Sequence, residues 1–243
     1  MSARPGCPCG PGWACWPVFK EEMPYRDPHT AGPGLWALRH SQGYDFEAST
    51  TTCDVLPAGR KGLEALAVSL YRQAHGGSPT VNFGRIIPGY RASSGNNARL
   101  VSRGNRFRGG PDQNAVAPAT TVPVHGPLLG DPTGGEWMGW DWSPWQTAHQ
   151  TAGTAPTGLY RLGRAGSATL TYVGQGRIYD RVAAHLAKAA VAGHRQGTLF
   201  SAPIEVSWVG LDAPVVHLLA HENDLIASHV LTVRSSPSAQ FLG

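Results

Sequence analysis

PTGLYRLGRAGSATLTYVGQGRIYDRVAAHLAKAAVAG, residues 156–193, changes from strand-like to helical patterning partway along. PTGLYRLGR and TLTYVGQG are short apolar segments joined by the Gly-containing GRAGSA, the pattern of a β-hairpin. In the remainder Ile178, Val182, Leu186 and Ala189 or Ala190 recur at helical spacing, and Gly193 is a plausible stop. Arg177, Arg181 and His185 stand four apart, which lines up three cationic or ionisable groups along the helix. Downstream, APIEVSWVGLD (202–212) reads as a third strand. A last helix opens near Ala213-Pro214, as Pro in a first turn favours, and runs through VVHLLAHENDLIASHVL with Glu222 at its middle.

The triplets Gly158-Leu159-Tyr160 and Tyr172-Val173-Gly174, Arg181 seven residues beyond Gly174, His185 four further on, and Glu222 on the later helix follow one another in a set order. Order and offsets together resemble the GIY-YIG nucleases. Leu159 and Val173 are conservative replacements at core positions, whereas Gln175 stands where some members carry lysine. Gln240, in PSAQFLG, is the counterpart of an asparagine that often ends the module. The segment between His194 and Ala202 is too short for a full extra helix.

The resemblance implies an α+β module over residues 156–243, a small three-stranded antiparallel sheet flanked by helices, that hydrolyses phosphodiester bonds in DNA. It implies that Glu222 holds one divalent ion, Mg²⁺ or Mn²⁺, hard cations that take oxygen ligands and retain waters. Arg181 would clamp the phosphate, and loss of such a group typically costs about 100- to 1,000-fold in rate. Tyr160 would accept a proton and Tyr172 orient the phosphate, with the reverse assignment open. His185 would relay a proton or touch the scissile phosphate. Arg177 falls at an often basic position, and His194 where some phage homing endonucleases place a second histidine. A restriction-like or mobile-element nuclease is the leading expectation; the alternative is a DNA-binding protein whose nuclease module no longer cuts. One active site cuts one strand, so double-strand cleavage would need a homodimer or two successive events.

Upstream, PAGRKGLEALAVSLYRQAHGG (57–77) places Leu63, Leu66, Ala67, Leu70 and Tyr71 at three- and four-residue intervals, one face of an amphipathic helix closed by Gly76-Gly77. GRIIPGYRASSGNNARLVSRGNRFRGG (84–110) carries Arg85, Arg91, Arg99, Arg103, Arg106 and Arg108 without an acid before Asp112. Arginine forks suit phosphates and guanine edges, so Arg91, Arg99, Arg103, Arg106 and Arg108 are expected to contact nucleic acid. GGEWMGWDWSPWQTA (134–148) brings Trp137, Trp140, Trp142 and Trp145, which read as packing onto the C-terminal module rather than as base-stacking groups. The expected division is a loosely ordered region 1–56, a helix with an Arg-rich DNA-contact region 57–115, a Pro/Gly/Trp-rich connector 116–155, and the nuclease domain 156–243.

Composition adds bounds. Only 15% of the 243 residues are charged, with 31 glycines and 20 prolines, so loops surround a modest core. A net charge of +4 is too small to argue for nucleic acid by itself. No apolar run could span a membrane or serve as a signal peptide, and a cytoplasmic location is expected. Cys7, Cys9 and Cys15, with Cys53, His29 and His40, fit zinc spacing poorly, and the segment around them reads as a flexible tail.

Overall fold

The structure, a computed structural model, describes residues 17–25, 30–52, 54–94, 106–116, 120–150 and 156–241. Cys7, Cys9, Cys15, Cys53, His29, Arg99 and Arg103 lie outside them. The chain is α+β and forms two units, residues 1–50 with 80–119 and residues 51–79 with 120–243. This division departs from the expected one. The helix at 57–75 joins the C-terminal module, and the Arg-rich segment joins the N-terminal residues. No helix among the described residues is long and apolar enough to cross a membrane.

The first unit is not loose where it is described. Helix α1, Gly32–Gln42, has Pro33 in its first turn and closes on Gly43, a left-handed residue (φ 70°) whose N–H returns to the Arg39 carbonyl. Trp36 and Ala37 pack with Val18 and Met23, against which Leu35, Ile86, Ile87 and Tyr90 lie. The Trp36 indole donates to the Lys20 carbonyl at 2.9 Å. Two short strands, β1 (Tyr90–Arg91) and β2 (Gly110–Pro111), pair antiparallel.

The second unit is built on a sheet of four antiparallel strands rather than three. In chain order they are β5 (Gln146–Thr147), β6 (Thr157–Gly163), β7 (Leu170–Arg177) and β8 (Glu205–Gly210), arranged β5-β8-β6-β7. The added edge strand β5 comes from the expected connector. That segment also forms a small hairpin of β3 (Glu136–Trp137) and β4 (Trp140–Asp141). Alternation along β6 sorts side chains to two faces. Tyr160 and Leu162 join Val206, Ile178, Val182, Phe200 and Ile204 on one side, while Leu159 joins Val173, Leu218, Leu225 and Ile226 on the other. The first side is covered by α3 (Ile178–Ala189) and the single-turn α4 (Gly197–Phe200), the second by α5 (Val215–Val233).

The tryptophans pack. Trp137 donates to Ser228 Oγ at 2.8 Å and Trp142 to the Trp137 carbonyl at 3.1 Å. Arg161, fully buried within β6, lies over the Trp142 and Trp145 rings at 4.4 and 4.7 Å. Its guanidinium donates to the Pro132 and Gly134 carbonyls, each at 2.7 Å, and to Ser207 Oγ. Burial lowers its pKa to about 10, and Asp131 opposes that shift. Arg161 therefore ties the Trp-rich segment to the sheet.

Helix α2, Pro57–His75, packs on α5 with the face opposite to the one its hydrophobicity indicates. Leu63, Ala67, Leu70 and Tyr71 are exposed, whereas Gly62, Ala65, Ser69 and Arg72 are buried. A side chain at Gly62 would collide with Val230 and Ser236, so glycine lets the helices approach closely. Asn223 Nδ2 donates to the Ala65 carbonyl at 3.0 Å, and Arg72 grips both carboxylate oxygens of Asp224 at 2.9 Å. Beyond α5 the chain returns along the open edge of β7, where the Ala239 N–H donates to the Thr171 carbonyl at 2.8 Å.

Candidate active site

Two glycines fix how β6 meets its neighbours. Gly174 lies opposite Tyr160 in the ladder, and any side chain there would run into the Tyr160 ring and hydroxyl. A side chain at Gly158 would strike the Val209 carbonyl oxygen of β8. Both ends of the paired triplets therefore need glycine for close approach rather than for an unusual backbone angle. Tyr172, one diagonal step away on β7, stacks near Tyr160 with ring centroids 6.1 Å apart.

Helix α3 starts directly after β7, so its first two turns pass over the tyrosine pair. Arg181 is exposed, and its charge favours the ionised form of both tyrosines. His185, one turn on, departs from the expected cationic row. It is only 4% exposed, its Nε2 lies 2.9 Å from the Tyr160 hydroxyl, and its ring lies 4.2 Å from Tyr172. Glu222, half-buried on α5, acts electrostatically on Tyr160, Tyr172 and Arg181. Tyr160, Tyr172, Arg181, His185 and Glu222 thus come together from four elements.

Their titration reflects that proximity. Burial, reinforced by Tyr172 and Glu222, holds the Tyr160 hydroxyl far above the usual tyrosine range, with Arg181 opposing. Burial and Glu222 push Tyr172 up to about 12. Burial raises Glu222 to about 7, while Lys61 on α2 and Arg181 draw it down. Arg181 is itself raised: burial lowers it, and the tyrosines with Glu222 outweigh that. His185 is lowered to about 3 by burial, Lys188 and Arg181, so it is neutral at neutral pH.

The other expected residues lie apart from this cluster. Arg177 is exposed and pairs with Asp180 at 3.1 Å. His194 Nδ1 accepts the Gln196 N–H at 3.1 Å, beside an open cleft of about 440 Å³ lined also by Arg195, Thr198 and Ser201. Gln240 is buried, and its Oε1 accepts the Val173 N–H at 3.0 Å, capping the free edge of β7. His229 accepts the Leu170 N–H at 3.1 Å through Nε2 and donates to the Ser235 carbonyl at 2.7 Å, which joins α5 to β7.

Arg91, Arg106 and Arg108 belong to the first unit. Arg91 stacks over Phe107 at 4.3 Å and Arg106 over Tyr25 at 3.7 Å. Arg108 pairs with Glu22 at 3.2 Å and donates to the Met23 carbonyl at 2.9 Å. Sequence reasoning missed Lys61, Lys188 and Gln196 around the cluster. Only the facing of α2, the last turn of α3 and the following loop bring them in.

A divalent ion can be weighed against the donors present. Glu222 brings a single carboxylate, which fits a hard cation that keeps most of its waters. No group of three or more His, Cys, Asp or Glu that could hold a metal occurs among the described residues, so a cation needing several side-chain ligands does not fit here. Compared with known families, curated proteins and solved structures, the chain matches no family model, no curated protein and no solved structure.

Proposed function

We propose that the second unit is a metal-dependent DNA endonuclease of the GIY-YIG type. The observation that carries this reading is the convergence of two strand tyrosines, an exposed arginine and a half-buried carboxylate, each of which shifts the titration of the others. Phosphodiester hydrolysis needs a proton acceptor for the attacking water and neutralisation of charge developing on phosphorus. Arg181, exposed on α3, can bind the phosphoryl oxygens while its charge favours the Tyr160 phenolate. Once the Tyr160 hydroxyl proton has passed to solvent, that oxygen takes the proton of the attacking water as the water oxygen bonds to phosphorus and the P–O bond to the leaving oxygen breaks, and the leaving oxygen takes a proton from solvent. Tyr172 orients a phosphate oxygen. Glu222 would hold Mg²⁺ or Mn²⁺, which when bound supplies charge stabilisation at the leaving oxygen.

Cleavage of supercoiled plasmid by the full chain with Mg²⁺ or Mn²⁺ tests this. Wild type should nick or cut, and Glu222→Ala and Arg181→Ala should each lose about 100-fold or more. Robust metal-dependent cutting that survives both changes removes the mechanism. Duplex binding without cutting by the wild type favours a module that only binds DNA.

A further inference from the structure

Behind Tyr160 a chain of side chains runs away from the open site, and its donors and acceptors can be assigned one by one. Gln196, 2% exposed, donates through Nε2 to the Ala239 carbonyl at 2.8 Å and to the Phe241 carbonyl. Both amide hydrogens are thereby engaged, which fixes the amide orientation and leaves Oε1 as an acceptor. That oxygen receives Lys188 Nζ at 2.6 Å. The same ammonium lies 3.4 Å from His185 Nδ1. An ammonium has three donors and no lone pair, so Nδ1 is the accepting nitrogen. A neutral imidazole carries its one N–H on the other nitrogen. His185 Nε2–H therefore donates to the Tyr160 oxygen across 2.9 Å.

We propose that Lys188, held by Gln196, is a positioning residue that fixes His185 as the Nε2–H tautomer and so directs the Tyr160 hydroxyl proton toward the open site. His185 in this tautomer gives the Tyr160 oxygen a donor and no acceptor, and the Arg181 guanidinium, which favours the ionised tyrosine, has no acceptor either. The tyrosine's own proton has neither as a partner and must point elsewhere. Once it passes to solvent, the phenolate keeps the His185 donor and the nearby Arg181 charge. His185 is thus an orienting donor rather than a proton acceptor, in keeping with a ring kept neutral by burial between Lys188 and Arg181. The last step, use of the Tyr160 oxygen as proton acceptor during cleavage, rests on the nuclease reading; the tautomer does not.

Nitrogen-15 correlation spectra of the imidazoles at pH 7, with His185 assigned by comparison with His185→Gln, read the tautomer directly. Wild type should show a protonated Nε2 and an unprotonated, accepting Nδ1 for His185. In Lys188→Met the two nitrogens should move toward a mixture of tautomers, and single-turnover cleavage should slow by about 10- to 100-fold, the usual cost of losing the orienting partner of a functional histidine. The KM for duplex should stay within about two-fold, and Lys188→Arg, which keeps a donor-only cation, should restore both signals. An Nδ1–H or doubly protonated His185 in the wild type overturns the proposal, even if Lys188→Met fails to fold. So does a Lys188→Met protein with the wild-type spectrum and rate. A wild type that cuts no DNA yet shows the Nε2–H ring overturns the nuclease reading and leaves the Lys188–His185 assignment standing.

Discussion

At Glu222 the needs of the site oppose those of the fold. Burial raises its carboxyl to about 7 from its ordinary value of 4.5. The folded state therefore holds the proton more tightly than the unfolded state does. This favours folding fully below pH 4.5 and is lost as the pH rises through 7. Well above pH 7 that contribution, on the order of 3–4 kcal/mol, is gone. Glu222→Gln keeps the shape and removes the charge. Without divalent ions at pH 8 it should raise the urea midpoint, at pH 4.5 it should change it little, and it should abolish metal-dependent cleavage. A midpoint unchanged or lower at pH 8 would mean that the carboxylate is solvated rather than strained by its surroundings. His185 shows the opposite arrangement, a base kept neutral so that it can donate. Each of the two groups departs from its solution behaviour chiefly because burial disfavours its charged form.

Among the elements, α2 tests most directly how packing is achieved. Its contact with α5 is made by small residues and a bidentate ion pair, with Arg72 and Asp224 side chains 0% and 1% exposed. Removing one partner strands a buried charge. Arg72→Met should thus cost about 3–5 kcal/mol, and the double change Arg72→Met with Asp224→Leu should recover much of that. Leu63→Ala, on the outward face, should stay within about 0.5 kcal/mol. Urea unfolding ranks the three, and a larger loss for Leu63→Ala than for Arg72→Met would show the helix facing the other way. This reversal also explains what the amino-acid order could reveal. Strands β6 and β7 are apolar runs buried on both faces, α3 buries one face at helical spacing and α5 is apolar over most of its length, and all four were legible. The inner face of α2 reads Gly62, Ala65, Ser69 and Arg72, so hydrophobicity pointed to the wrong side. Strand β5 is two residues long and has no period to display. The tyrosines, Arg181 and Glu222 were singled out through the family resemblance that their order and offsets carry. Lys188 and Gln196 depend on a turn between them and on carbonyls of the distant 239–241 segment, which no local pattern encodes.

For the molecule as a whole, 20 Lys and Arg against 16 Asp and Glu leave an excess of four positive charges, so on the proposed reading any attraction to DNA comes from placement. The two units offer different cations. In the second, Arg181 is exposed at the cluster. In the first, Arg91 and Arg106 lie flat on aromatic rings, while Arg108 is occupied by Glu22 and the Met23 carbonyl. Stacking uses the guanidinium face and leaves its edge able to meet a phosphate. Each phosphate contact adds about −0.9 to the slope of log affinity against log salt. Duplex binding measured by anisotropy with Ca²⁺ in place of Mg²⁺ separates the contributions. Arg181→Ala should make the slope shallower by about 0.9, and Arg91→Gln with Arg106→Gln by up to about 1.8. Arg108→Gln should mainly lower the thermal stability of the first unit and leave the slope nearly unchanged. If the double variant keeps the wild-type slope while Arg181→Ala does not, DNA is held by the second unit alone. The Arg-rich segment would then serve to brace the Trp36 core rather than to bind the substrate.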